Sequence, residues 1–137
     1  MNIVLDTNVL VTGLLTPSGV CGEIVRMVSS GELVLCLDAR ILAEYNEVLQ
    51  RPKFKFDEDK VAALLDYIEY HGRTIASNPL VQSLPDIDDD PFLEVALAGR
   101  VTCLITGNKL HFPLKLRKGV KVLSPREFLD FYKRENR

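Results

Sequence analysis

Residues 88–108 read DDDPFLEVALAGRVTCLITGN, and this stretch decides the fold. Phe92, Leu93, Ala96 and Leu97 recur at helical spacing, Gly99 offers a stop, and Thr102 to Thr106 is a short apolar and β-branched run. A helix therefore runs directly into a strand. Cys103, Leu104 and Ile105 are apolar at every position rather than every second one, which marks a strand buried on both faces. The same texture recurs at Ile3 to Leu5 and at Leu33 to Leu37, and Val120, Val122 and Leu123 form a last short strand.

Helical stripes fill the intervals. Thr7 or Asn8 is placed to cap a helix running to about Leu15, and Ile24, Val25, Met27 and Val28 form a second stripe. Asp38 is the expected N-cap of a third helix carrying Ile41, Leu42, Tyr45, Val48 and Leu49 up to the break at Arg51-Pro52. A fourth is expected from Asp57 to Ile75, followed by an extended stretch to Pro85. Ser124-Pro125-Arg126-Glu127 reads as a capping box that opens a terminal helix. Short buried strands alternating with helices specify the α/β class, with a parallel sheet between two helical layers.

The chain of 137 residues is one domain in length, and no internal repeat or linker divides 1–137. No apolar run is long enough to span a bilayer, and the N-terminus has neither a basic region nor a cleavage site, so no membrane role and a cytoplasmic location are expected. Cys21, Cys36 and Cys103 share no metal spacing and read as buried thiols. A net charge of −2 argues against a protein that holds nucleic acid by bulk electrostatics. Charge is nonetheless segregated: Asp86, Asp88, Asp89, Asp90 and Glu94 crowd residues 86–94, whereas Lys109, Lys115, Arg117, Lys118, Lys121 and Arg126 occupy 109–126 without an acid. An acidic pocket beside a basic segment suits a metal-dependent enzyme acting on a polyanion.

Ligands of parallel sheets collect beyond the carboxyl ends of the strands, where Asp6 and Thr106-Gly107-Asn108 both fall. Asp6 alone could be a helix cap, and Glu44, close to a buried stripe, needs a partner. Four aspartates at 86–90 exceed what capping a helix requires. Crowded carboxylates raise one another's pKa unless a cation lies among them, and an oxygen-only donor set favours Mg2+ or Mn2+. His71 and His111 have no pairable spacing; His111, near the ligand edge, could contact phosphate but reads first as a surface imidazole. Lys53, Phe54, Lys55 and Phe56 alternate base with aromatic and read as an extended segment with its phenylalanines inward.

Val4-Leu5-Asp6-Thr7-Asn8-Val9, Leu42-Ala43-Glu44-Tyr45 with Arg51-Pro52-Lys53-Phe54, and Asp88-Asp89-Asp90-Pro91-Phe92-Leu93 through Ile105-Thr106-Gly107-Asn108 together resemble the PIN-domain family. The resemblance is to its VapC-like branch, ribonuclease toxins of toxin-antitoxin pairs. It implies a three-layer α/β/α PIN-like fold with a parallel sheet of four or five strands, and a metal-dependent endoribonuclease. By resemblance Asp6, Asp90 and Glu44 would hold Mg2+ or Mn2+, with Glu44 alternatively orienting the attacking water. Asn8 and Thr106 would position the carboxylates, Asp86, Asp88 and Asp89 would support them, and Lys109, Lys115, Arg117 and Lys118 would steer the RNA backbone. A cognate antitoxin and a homodimer or higher oligomer are implied as partners. Asn108 departs from the pattern, since the family's fourth acid falls there; its carbonyl can still ligate a cation, with one charge fewer. Two rival readings follow: a catalytically weak PIN domain that binds RNA or antitoxin, and a phosphotransferase with Asp6 as nucleophile, which Asn8 disfavours.

Overall fold

A computed structural model of the chain describes residues 1–136. Five parallel strands, β1 (Asn2–Leu5), β2 (Val34–Leu37), β3 (Arg73–Thr74), β4 (Cys103–Ile105) and β5 (Val122–Leu123), lie in the order β3-β2-β1-β4-β5. Among the described residues six α-helices accompany them: α1 (Thr7–Leu15), α2 (Val20–Ser29), α3 (Ala39–Leu49), α4 (Glu58–His71), α5 (Asp90–Gly99) and α6 (Pro125–Glu135). Ile3, Val4 and Leu5 have no exposed surface, and because successive strand side chains point to opposite faces, both faces of β1 are covered. The parallel α/β sheet expected from the sequence is thus present, with five strands.

Register fixes the ligand edge. Ile3 pairs with Leu35 on one side and Cys103 on the other, and Leu5 pairs with Ile105. From β1 the chain builds outward through β2 and β3, then returns to the opposite side of β1 with β4. The β1/β4 junction is therefore the topological switch point, where the loops diverge and leave a crevice. Asp6 leaves β1 and Thr106 leaves β4 at that junction, joined by the Asp6 amide donating to the Ile105 carbonyl at 2.9 Å.

Three local expectations need correction. The fourth helix stops at His71 rather than Ile75. Gly72 passes so close to the sheet that a Cβ there would lie 2.5 Å from the Ile68 carbonyl oxygen and 2.7 Å from Leu37, and this approach delivers Arg73 and Thr74 into the sheet beside β2. Asp6, not Thr7 or Asn8, is the residue preceding α1, and it makes no side-chain cap, because all three polar groups are turned toward other partners. Pro52–Phe54 is a 3-10 turn rather than an extended segment, and Phe54 stacks on Phe56 with ring centroids 5.4 Å apart. The expected caps at Asp38 and Ser124 are both formed, the latter as a full capping box with Glu127. Among the described residues no single helix is long and apolar enough to cross a membrane.

Candidate functional site

The carboxyl end of β1 is held by α3. Tyr45, fully buried, donates its hydroxyl to the Leu5 carbonyl at 2.5 Å, and this contact fixes the neighbouring Glu44 over the switch point. Glu44 accepts a hydrogen bond from the Thr7 hydroxyl at the start of α1. Its carboxyl is held above the usual range, first by burial and then by the charges of Asp6, Asp88 and Asp86.

Asp6 is buried and accepts from the Thr106 hydroxyl at 2.8 Å and, more weakly, from the Asn8 side-chain amide at 3.4 Å. Burial raises its pKa, against the opposing pull of the Thr106 bond and of His111. Asn8 also accepts from the Gly107 amide at 3.0 Å, and the Asn108 amide donates to the Thr106 hydroxyl oxygen at 3.0 Å. Asn8 and Thr106 together tie the loop after β4 to the acid after β1.

The acidic run divides by geometry. Asp86 accepts from the Asp88 amide and opens a 3-10 turn over Ile87–Asp89, leaving Asp86 and Asp88 exposed. Asp90 is the first residue of α5, and its carboxylate turns back to accept the buried Leu84 amide at 2.8 Å. Asp89 faces the other acids. Its pKa is pushed up to about 6, chiefly by burial and then by the charges of Asp6 and Asp86. Its Oδ2 lies 3.2 Å from His111 Nδ1 yet off the line of a hydrogen bond, so this buried oxygen has no hydrogen-bond partner among the described residues.

His111 is partly exposed, as expected of a surface imidazole, and its ring also reaches two side chains of the cluster. A 3-10 turn over Lys109–His111 brings its ring back to Asn108, with Nε2 3.0 Å from the Asn108 side-chain nitrogen. A sequence signal for this was weak: residues three apart eclipse in a 3-10 turn, but nothing in Lys109-Leu110-His111 specifies that turn over a helix or a coil.

Of the basic residues expected to meet RNA, Lys109 pairs with Glu127 at 2.8 Å, and Arg117 donates to the Phe112 carbonyl at 2.7 Å. Lys115 and Lys118 are exposed and make no ion pair among the described residues.

Among the described residues no three Asp, Glu, His or Cys side chains converge tightly enough to form a finished metal centre. The donors suit a hard cation in kind, however. The charge of Asp6 raises the proton affinity of Glu44 and of Asp89, Glu44 adds to it at Asp89, burial raises that of Asp6, and the Asp89 Oδ2 is a buried acceptor that accepts no hydrogen bond from the described residues.

A family model described as PIN domain matches residues 2–110. An uncharacterised protein of Methanocaldococcus jannaschii is 25% identical over 145 aligned residues, covering 98% of this chain and 93% of that one. No solved structure matches the chain.

Proposed function

The chain belongs to the PIN domain family, and from that premise we propose that it is a metal-dependent endoribonuclease whose site is made by Asp6, Glu44, Asp89 and Asn108. Asp89 takes the ligand role that the resemblance assigned to Asp90. The observation that carries this reading is the buried Asp89 Oδ2, which accepts no hydrogen bond among the described residues, lies 3.2 Å from His111 Nδ1 and is near enough to the charges of Asp6 and Glu44 for them to raise the pKa of Asp89. Asp90 and the loop it holds then serve to aim Asp89, while Asp86 and Asp88 add negative potential at the rim.

Mg2+ or Mn2+ held by these oxygens would neutralise charge on the attacked phosphate and acidify the attacking water. The chain's own residues have separate tasks. Thr106 fixes the rotamer of Asp6 through its hydroxyl. Glu44 is anchored through Oε2 to Thr7, which leaves Oε1 to orient the water or accept its proton. Lys115 and Lys118 supply positive charge for the RNA backbone. A toxin role, with a cognate antitoxin and self-association, extends the same reading and rests on the resemblance of the motifs.

The test is cleavage of single-stranded RNA in Mn2+ by the wild-type protein and by Asp6→Asn. Cutting by the wild type alone is expected. Equal and negligible cutting would overturn the nuclease reading in favour of a PIN domain that binds without cutting, the alternative that the neutral Asn108 motivates.

A further inference from the structure

Asn108 presents a problem of orientation that an aspartate would not. Rotating its amide by half a turn exchanges a cation ligand, Oδ1, for a repelling NH2 group. His111 resolves it. The imidazole Nε2 stands 3.0 Å from Asn108 Nδ2, and its Nδ1 stands 3.2 Å from the Asp89 Oδ2. With the ring proton on Nδ1, the bare Nε2 accepts from the amide NH2, while Nδ1 stands near the Asp89 carboxylate without hydrogen-bonding to it. With the NH2 group so engaged, Oδ1 is the atom that Asn108 has left to offer.

We propose that His111 is a positioning residue that turns Asn108 into an oxygen ligand for the divalent cation. The inference rests on the metal-site reading above and adds to it a residue outside the acidic set. It also joins the two halves of the site. From Asp89 the contacts run through His111 to Asn108, from the Asn108 amide to the Thr106 hydroxyl at 3.0 Å, and from that hydroxyl to Asp6 at 2.8 Å. One chain of polar groups thus spans from the acid before α5 to the acid after β1. Groups that orient metal ligands in this manner commonly affect affinity by about 10- to 100-fold.

The experiment is a double-mutant cycle on Mn2+ affinity, read from the free-ion signal in electron paramagnetic resonance, with no RNA present. His111→Ala is expected to weaken Mn2+ binding by about 10-fold or more. In an Asn108→Asp background the same change should cost much less, because a carboxylate presents an oxygen in either rotamer. The Asn108 side-chain amide signals in a nitrogen-proton correlation spectrum should also move in His111→Ala, while far-UV circular dichroism stays constant; the ring is partly exposed, so its removal opens no core cavity. Unchanged affinity in His111→Ala, or the same loss in both backgrounds, would overturn the proposal. Failure of the metal reading itself has a different signature: Asp6→Asn would bind Mn2+ as tightly as the wild type, or the wild type would bind none, and the role of His111 would fall with it.

Discussion

Asp89 and Asp90 are adjacent and chemically identical, yet their surroundings differ. Asp90 accepts a buried amide through Oδ1, whereas Asp89 sits half-buried near other carboxylates with a buried oxygen that accepts no hydrogen bond among the described residues. The folded pKa of Asp89, about 6, lies above its ordinary 3.8, so between those values the folded chain keeps a proton that the unfolded chain has shed. Stability from this group is full below 3.8 and is lost as the pH rises through 6; Asp6 and Glu44 push in the same direction. Thermal melts in EDTA should therefore show the wild type losing stability from pH 5 to pH 7, with Asp89→Asn losing less and gaining about 1 kcal/mol at pH 7, the full linkage value being reduced by residual solvent access. Asp90→Asn, whose amide oxygen can still accept from Leu84, should leave that pH dependence in place; an identical profile for both variants would remove the distinction. Sequence alone could not divide the run. Four acids at 86, 88, 89 and 90 all look available, and the 3-10 turn that aims one inward depends on how the preceding loop docks.

That docking is the work of α5. Asp90 and Glu94 lie one turn apart on the helix, and each accepts a backbone amide from the loop before it: Leu84 to Asp90 at 2.8 Å, Leu80 to Glu94 at 3.1 Å. Glu94 is buried and also pairs with Arg40 at 2.7 Å, while Arg40 reaches Asp38 and Ser77. A single guanidinium thus ties the start of α3, the loop and α5 together. Glu94→Ala leaves the Leu80 amide unpaired and removes one of the two carboxylates on Arg40; because Arg40 is half-exposed, the cost should be about 2 kcal/mol, below that of a fully buried pair. Chemical denaturation checks the stability, and limited proteolysis should find residues 76–85 newly sensitive. Unchanged proteolysis would mean that Glu94 does not hold the loop. At this scale β1, β2 and β4 were legible because unbroken apolar runs have few readings other than a strand buried on both faces. β3 was not. It is two exposed residues with no pattern of their own, placed by the close passage of Gly72 over Ile68 and Leu37.

Across the whole molecule, the net charge of −2 hides a separation that the fold preserves: acids ring the switch point, and the basic stretch begins at Lys109, directly after Asn108. Substrate RNA would then lie along that stretch with one phosphate carried toward the acids, and the basic residues should not contribute equally. Lys109 is committed to Glu127, whose carboxyl is held down to about 2, first by the Lys109 hydrogen bond and then by the capping box of α6. Arg117 is half-buried and bonded to the Phe112 carbonyl, whereas Lys115 and Lys118 are free to pair with phosphate. Counterion release makes each such pairing visible in salt dependence, with a contribution of about 0.7 to the slope per phosphate on a single strand. In Asp6→Asn, used so that RNA is bound without being cut, Lys115→Ala and Lys118→Ala should each lower the slope of log affinity against log salt by about that amount. Lys109→Ala should lower it less, because its charge is already spent on Glu127. Fluorescence anisotropy with a labelled single-stranded RNA at several salt concentrations measures all three, and a slope that responds to Lys109 but to neither Lys115 nor Lys118 would place the RNA on a different path across the molecule.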